Sequence, residues 1–196
     1  MDSVSVWKEL QLVLTVLDRL RISYVLGGSL ASSIWGVPRS TNDADVMVLP
    51  FPGREEQFAA SFPPDFYLSL AGMRDANLKR RSFNIINTST GFKTDIFVAS
   101  AKKLDDLAFR RRVTRKVPAL GEAMVNVLSA EDVVIRKLDW YRQGGETSER
   151  QWLDVAGVLQ ANLPDMDRDY LRKESCDLGI ADLLQRAIDE AEAARE

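Results

Sequence analysis

From Val4 to Leu20 apolar residues return at helical spacing, with Val6, Leu10, Val13, Leu14 and Leu17 on one face, which predicts a core-packing helix. A short connection, Arg21-Ile-Ser, leads into an apolar run, Tyr24-Val-Leu26, that reads as a strand. Leu30 to Trp35 suits one or two helical turns, stopped by Gly36 and Pro38. The next strand runs through Asp43-Ala-Asp45-Val-Met-Val48 to Leu49 and is closed by Pro50, Pro52 and Gly53. A helix is expected over Arg54 to Phe62, broken by Pro63-Pro64, then a strand over Phe66 to Leu70 and a short helix over Met73 to Leu78. Ser82 to Asn87 and Phe92 to Val98 flank Thr88-Ser-Thr-Gly91 and predict a hairpin. Arg110 to Pro118 and Glu122 to Val127 alternate as strands, the first rich in Arg and Lys. Ser129 then caps a helix with Glu131 and Asp132 in its first turn, which ends near Gly144-Gly145. A second helix covers Glu149 to Leu159. Beyond Pro164, Leu178, Leu183, Leu184, Ala187, Ile188 and Ala191 mark one or two amphipathic helices.

Chemistry enters where this pattern is interrupted by polar residues of a particular kind. Gly27 and Gly28 follow a strand and lack a Cβ, so the backbone there can take positive φ and bring its N–H groups close to a phosphate. Ser29 stands at a helix start, as a cap or as a hydroxyl for a phosphate oxygen. Asp43 and Asp45 leave the same face of their strand and repel each other unless a cation lies nearby, which makes a divalent ion with hard oxygen ligands a natural partner. The plainer alternatives are an ordinary turn at Gly27-Gly28-Ser29 and a solvated edge or cap at Asp43 and Asp45. Asp95 sits in the second hairpin strand. There Phe92, Thr94, Ile96 and Val98 share one face and Lys93, Asp95 and Phe97 the other. It is read either as a salt bridge to Lys93 or an Arg, or as a third metal ligand or general base.

Composition narrows the chemistry further. The chain has 196 residues, 45% hydrophobic and 28% charged, as a soluble globular protein does. A net charge of -3 argues against a surface coated in basic residues, leaving room for local patches such as Lys79-Arg80-Arg81, read as a solvated face or as phosphate-facing. No run is long and apolar enough to span a bilayer, and no leader pattern opens the chain. A single cysteine, Cys176, read as structural, fits a reducing cytoplasm. Histidine is absent, which excludes His triads and His metal sites, so any catalysis runs on carboxylates, Lys, Arg, hydroxyls and metal.

Gly27-Gly28-Ser29, Asp43 with Asp45, and Asp95 together resemble the DNA polymerase β-like nucleotidyltransferase superfamily. Arg39-Ser-Thr41-Asn-Asp43-Ala-Asp45 looks like the Arg-x-Thr-x-Asp-x-Asp form of its minimal members in the abortive-infection toxin group. Lys137, with Arg150 and Asp154 on the following helix, is similar to that group's helical motifs, although Arg150 and Asp154 also suit a surface i,i+4 pair. The resemblance spans roughly residues 20 to 160. It implies an α+β fold in one domain, with a small mixed sheet carrying the aspartates over 1–127 and a helical region over 128–196 forming the other wall of a cleft.

The function so implied is nucleotidyl transfer from a nucleoside triphosphate to a hydroxyl. Asp43, Asp45 and Asp95 are the expected ligands of Mg²⁺ or Mn²⁺ and the catalytic carboxylates. Gly27, Gly28, Ser29, Arg39, Thr41, Lys137, Arg150 and Asp154 are the expected nucleotide-binding set. The acceptor is a tRNA, a protein or a small molecule, with an antitoxin partner if the chain is a toxin, and Arg111 to Lys116 offers a basic stretch for an acidic acceptor. A module of the same fold that binds nucleotide or a partner without catalysis is the alternative.

Overall fold

The computed structural model describes residues 3–118 and 123–195, with side chains from Trp7 onward. Contacts group these into two compact units, Met1–Gly27 with Ser40–Val127, and Gly28–Arg39 with Leu128–Glu196.

The first unit opens with α1 (Ser3–Arg19), whose Leu10, Val13, Leu14 and Leu17 are buried as their spacing requires. The side chain of Val6 and the whole of Glu122 lie outside the described residues. The unit's sheet contains β1 (Tyr24–Leu26), β2 (Asp43–Val48), β3 (Phe66–Leu68), β4 (Ser82–Asn87), β5 (Lys93–Val98), β6 (Val113–Val117) and β7 (Ala123–Val127). Their order is β3-β4-β5-β2-β1-β7-β6. β2 runs parallel to β5 and β1 parallel to β7, whereas β1–β2, β3–β4, β4–β5 and β6–β7 are antiparallel. The sheet is therefore mixed, as expected of an α+β chain. Ala44, Val46 and Val48 of β2 and Thr94, Ile96 and Val98 of β5 turn to the buried side. Phe51, Phe58 and Phe83 pack there with ring centroids 5.3 to 6.3 Å apart.

Two short helices differ from expectation. α3 is only Glu55–Ala59, because Ser61 and Phe62 donate to the carbonyls three residues back, so the chain tightens before Pro63-Pro64. α4 (Leu70–Lys79) starts earlier than predicted, capped by Ser69, whose side chain accepts from the Gly72 N–H. α5 (Lys103–Arg110) occupies a stretch with no predicted element, and it shortens the basic strand that follows it to Val113–Val117. Its Ser100–Asp105 entry is fixed by Asp105, which accepts from the Ser100 N–H at 2.9 Å and its hydroxyl at 2.6 Å.

The second unit is helical: α2 (Gly28–Trp35), α6 (Ala130–Gln143), α7 (Glu149–Asn162), α8 (Arg168–Asp177) and α9 (Ala181–Ala193). Ser129 caps α6 as predicted, accepting from the Asp132 N–H. α2 packs on α7 at Gly36, where an added Cβ would lie 2.7 Å from the Gly157 carbonyl carbon. The end of α2 is tied down at Trp35, whose Nε1 donates to the Leu128 carbonyl at 2.8 Å and whose own carbonyl accepts from Asn162 at 2.7 Å. Leu183, Leu184, Ala187, Ile188 and Ala191 of α9 are buried as their spacing predicts. Cys176 is exposed on α8, not packed in the core. Among the described residues no helix is long and apolar enough to cross a membrane.

Candidate active site

Strand period places the carboxylates. In β2, Ala44, Val46 and Val48 are drawn to the core, so Asp43 and Asp45 must emerge on the other face, where both are half-buried. β5 obeys the same rule with Lys93 and Asp95. The parallel register sets Asp45 beside Asp95 and Asp43 beside Lys93, about 4.8 Å apart across the strands. On the far side of β5, antiparallel pairing puts Asn84 beside Asp95. Asp43, Asp45, Asp95, Lys93 and Asn84 therefore share one sheet face.

The hydrogen bonds order this face. Lys93 Nζ meets Asp95 Oδ2 at 2.6 Å, and with its amide nitrogen turned toward Asp95, Asn84 donates to Oδ1 at 2.7 Å. The Thr41 hydroxyl donates to Asp43 Oδ1 at 2.6 Å. The Gly27 N–H donates to the Asp45 carbonyl at 2.8 Å, joining the turn after β1 to β2 beneath the acids. The Asp95 hydrogen bond, together with the charges of Asp95, Asp43 and Asp45, raises the Lys93 pKa against a smaller opposing effect of burial. Lys93 is thus the cation that the clustered carboxylates call for, and the plainer reading of Asp95 as a salt-bridge partner describes its present contact.

The donor chemistry suits a hard divalent ion, since every candidate ligand is a carboxylate. Among the described residues, though, no group of three or more His, Cys, Asp or Glu side chains is gathered so as to hold a metal. Asp43 and Asp45 fit such an ion by type and face; Asp95 is engaged by an ammonium.

A second polar cluster is built within the helical unit. Gly28 takes φ +57°, and Ser29 follows it in the first turn of α2. Arg39 donates from Nη2 to Ser29 Oγ at 2.5 Å and grips Asp154 with two bonds, Nε to Oδ1 at 2.8 Å and Nη2 to Oδ2 at 2.9 Å. Lys137 Nζ meets Asp154 Oδ2 at 2.8 Å. The Asp154 side chain is only 5% exposed. Burial alone would raise its pKa, but the hydrogen bonds and charges of Arg39 and Lys137 prevail and lower it. Arg150 stands exposed in the first turn of α7 and makes no ion pair with Asp154 among the described residues. Thus Ser29, Arg39, Lys137 and Asp154 meet, whereas Arg150 stands apart.

Sequence reasoning passed over Asn84, yet the hairpin register contained it: Asn84 alternates outward with Ser82 and Ile86, and a turn at 88–91 brings it opposite Asp95. No signal along the chain could have matched Arg39 to Asp154, 115 residues away. Of the basic run, Lys79 is paired with Asp75 at 2.5 Å, and Arg80 and Arg81 are exposed.

No family model matches the chain, and no curated protein matches it. Solved structures do. The crystal structure of an antigenic nucleotidyltransferase-like protein from Paracoccidioides brasiliensis superposes with a TM-score of 0.60 at 15% identity, over 94% of this chain and 92% of that one. The solution structure of the antibiotic-resistance factor ANT(2'')-Ia gives 0.52 at 14% identity over the whole of both chains. Its crystal structure in complex with adenylyl-2''-tobramycin gives 0.51 at 12% identity, over 88% of this chain and 95% of that one. The chain has a nucleotidyltransferase-like fold.

Proposed function

We propose that the protein is a metal-dependent nucleotidyltransferase that moves a nucleoside monophosphate from a nucleoside triphosphate to a hydroxyl. The observation that carries this reading is the placement of Asp43, Asp45 and Asp95 on one face, with Asp45 and Asp95 in register on neighbouring strands. Asp43 and Asp45 would hold Mg²⁺ or Mn²⁺, with Asp95 as a third ligand or as the base. A bound divalent ion supplies charge neutralisation at the phosphates. As the base, Asp95 would accept the acceptor's proton while that oxygen bonds to the α-phosphorus and the bond to pyrophosphate breaks. Thr41 orients Asp43, and Asn84 orients Asp95. In the helical unit Ser29, Arg39 and Lys137 form a hydroxyl-and-cation set suited to phosphate oxygens, with Gly28 supplying a backbone N–H group; the Gly27 N–H, expected from the sequence to do the same, is instead held by the Asp45 carbonyl. Asp154 would act there by positioning the two cations.

The acceptor class follows from the resemblance: a tRNA or protein hydroxyl if the chain belongs with the abortive-infection toxins and is restrained by an antitoxin. A small-molecule hydroxyl is the counterpart suggested by the likeness in fold to the protein bound to adenylyl-2''-tobramycin. A second reading, a nucleotide-binding module without catalysis, draws support from the Lys93–Asp95 contact, which occupies the third carboxylate.

Isothermal titration of the four nucleoside triphosphates with and without Mg²⁺ tests the proposal. Magnesium-dependent binding is expected in the native chain and is lost in Asp43→Asn/Asp45→Asn with the fold retained. Binding that ignores both magnesium and the double substitution would assign the nucleotide to other residues.

A further inference from the structure

Lys93 has a place in this face that the reading above does not use. It lies across from Asp43 in the register, it reaches along its own strand to Asp95 at 2.6 Å, and its side chain is 39% exposed, so it can swing into solvent without disturbing the core. Asp95 keeps one further partner, Asn84, which grips the other carboxylate oxygen and is independent of Lys93. An ammonium and a divalent ion are alternative counter-ions for Asp95 Oδ2, and two cations at hydrogen-bond distance from one oxygen repel.

We propose that Lys93 competes with the divalent ion for Asp95, so that a metal completes its carboxylate set only by displacing the Lys93 ammonium. The inference rests on the proposed metal role of Asp43, Asp45 and Asp95. Its consequence is a threshold: Asp43 and Asp45 bind the ion first, and Asp95 joins only when the ion, with its phosphate load, outbids the lysine. Lys93 is then a positioning residue that ties Asp95 to the occupancy of the site. Linkage makes the effect reciprocal, since whatever metal does to Lys93, Lys93 does to metal.

The probe is Mn²⁺, its affinity followed by electron paramagnetic resonance in the full chain, with folding checked by circular dichroism. Lys93→Gln should tighten Mn²⁺ about tenfold, the scale of an ordinary coupling between two sites. Removing any nearby positive charge favours a cation, so the decisive comparison is made in an Asp95→Asn background. There the same substitution should change affinity less than about twofold if the competition is at Asp95. Acetylation of Lys93 by an amine-reactive reagent, read by mass spectrometry, should also speed up when Mn²⁺ is added. Unchanged or weaker Mn²⁺ binding in Lys93→Gln overturns the inference, as does an equal gain with and without Asp95. If Mn²⁺ binds the native chain, is lost in Asp43→Asn/Asp45→Asn and ignores Lys93, only the role of Lys93 falls. If folded native chain binds no Mn²⁺, the metal reading falls with it.

Discussion

Asp154 has two cations on a carboxylate that is nearly removed from water, so its charge is tied to the fold. Truncating one member of such a set leaves the others with an uncompensated burial cost. Asp154→Asn should therefore lower stability at pH 7 by about 3 kcal/mol, the low end for breaking a buried pair, because the Arg39 side chain is still 30% exposed. Its pH dependence has a definite sign. The folded-state pKa is lowered, so the contribution is complete above the unfolded aspartate value of about 3.9 and disappears as pH falls through the folded value. Urea unfolding from pH 7 down to pH 2 checks this: the native chain should lose the increment only in the acid range, and the gap between it and Asp154→Asn should close there. A gap that persists at pH 2 would point to packing instead of charge. Two residues of this cluster, Arg39 and Lys137, are held directly by Asp154, so under the proposed phosphate role the same variant should also weaken phosphate binding by that pair.

At the scale of elements, α2 matters because it carries Ser29 and is held by close contact instead of length. It has eight residues, too few for stability alone, and it lies against α7 where Gly36 leaves no room for a methyl group: a Cβ there would sit 2.7 Å from the Gly157 carbonyl carbon and 2.8 Å from the Val158 nitrogen. The obstacle is backbone, which cannot rotate away as a side chain can. Gly36→Ala should cost about 1–3 kcal/mol, overpacking in kind, and lower the melting temperature by about 2–4 °C for each kcal/mol. A melting temperature equal to that of the native chain would mean that α2 can shift freely on α7. The helix itself was legible, since Gly36 and Pro38 end an apolar stretch that suits one. So were β1, β2, the β4–β5 hairpin and α6, each with a strong period or cap. α5 was not legible: two helical turns with only Leu104, Leu107, Ala108 and Phe109 to define a face are too short to separate from the basic alternation that follows.

At the scale of the whole molecule, the candidate site divides into a part that local pattern determines and a part that it does not. Strand period puts Asp43 and Asp45 on one face of β2 and Asp95 on the polar face of β5, and the hairpin adds Asn84, whereas the parallel pairing that sets β5 beside β2 is a long-range contact that only the resemblance anticipated. The grouping of Gly28–Arg39 with Leu128–Glu196 depends on who packs on whom, and Arg39 shows no preference for Asp154 until the chain has folded. That grouping makes a prediction for a fragment of residues 1–127. Leu30, Ala31 and Ser32 of α2 are buried, and α2 makes its main contacts with α6 and α7, both of which the fragment lacks. An eight-residue helix deprived of its packing partners is not stable in water. The segment 28–39 should open, and Arg39, no longer gripped by Asp154, becomes a trypsin site. Limited digestion followed by mass spectrometry should find cleavage after Arg39 at least tenfold faster in the fragment than in the full chain, a ratio that needs only about 1.4 kcal/mol of lost local stability. Because cleavage of a transiently opened segment tracks the population of its open form, equal rates would mean that α6 and α7 contribute nothing to holding α2 closed.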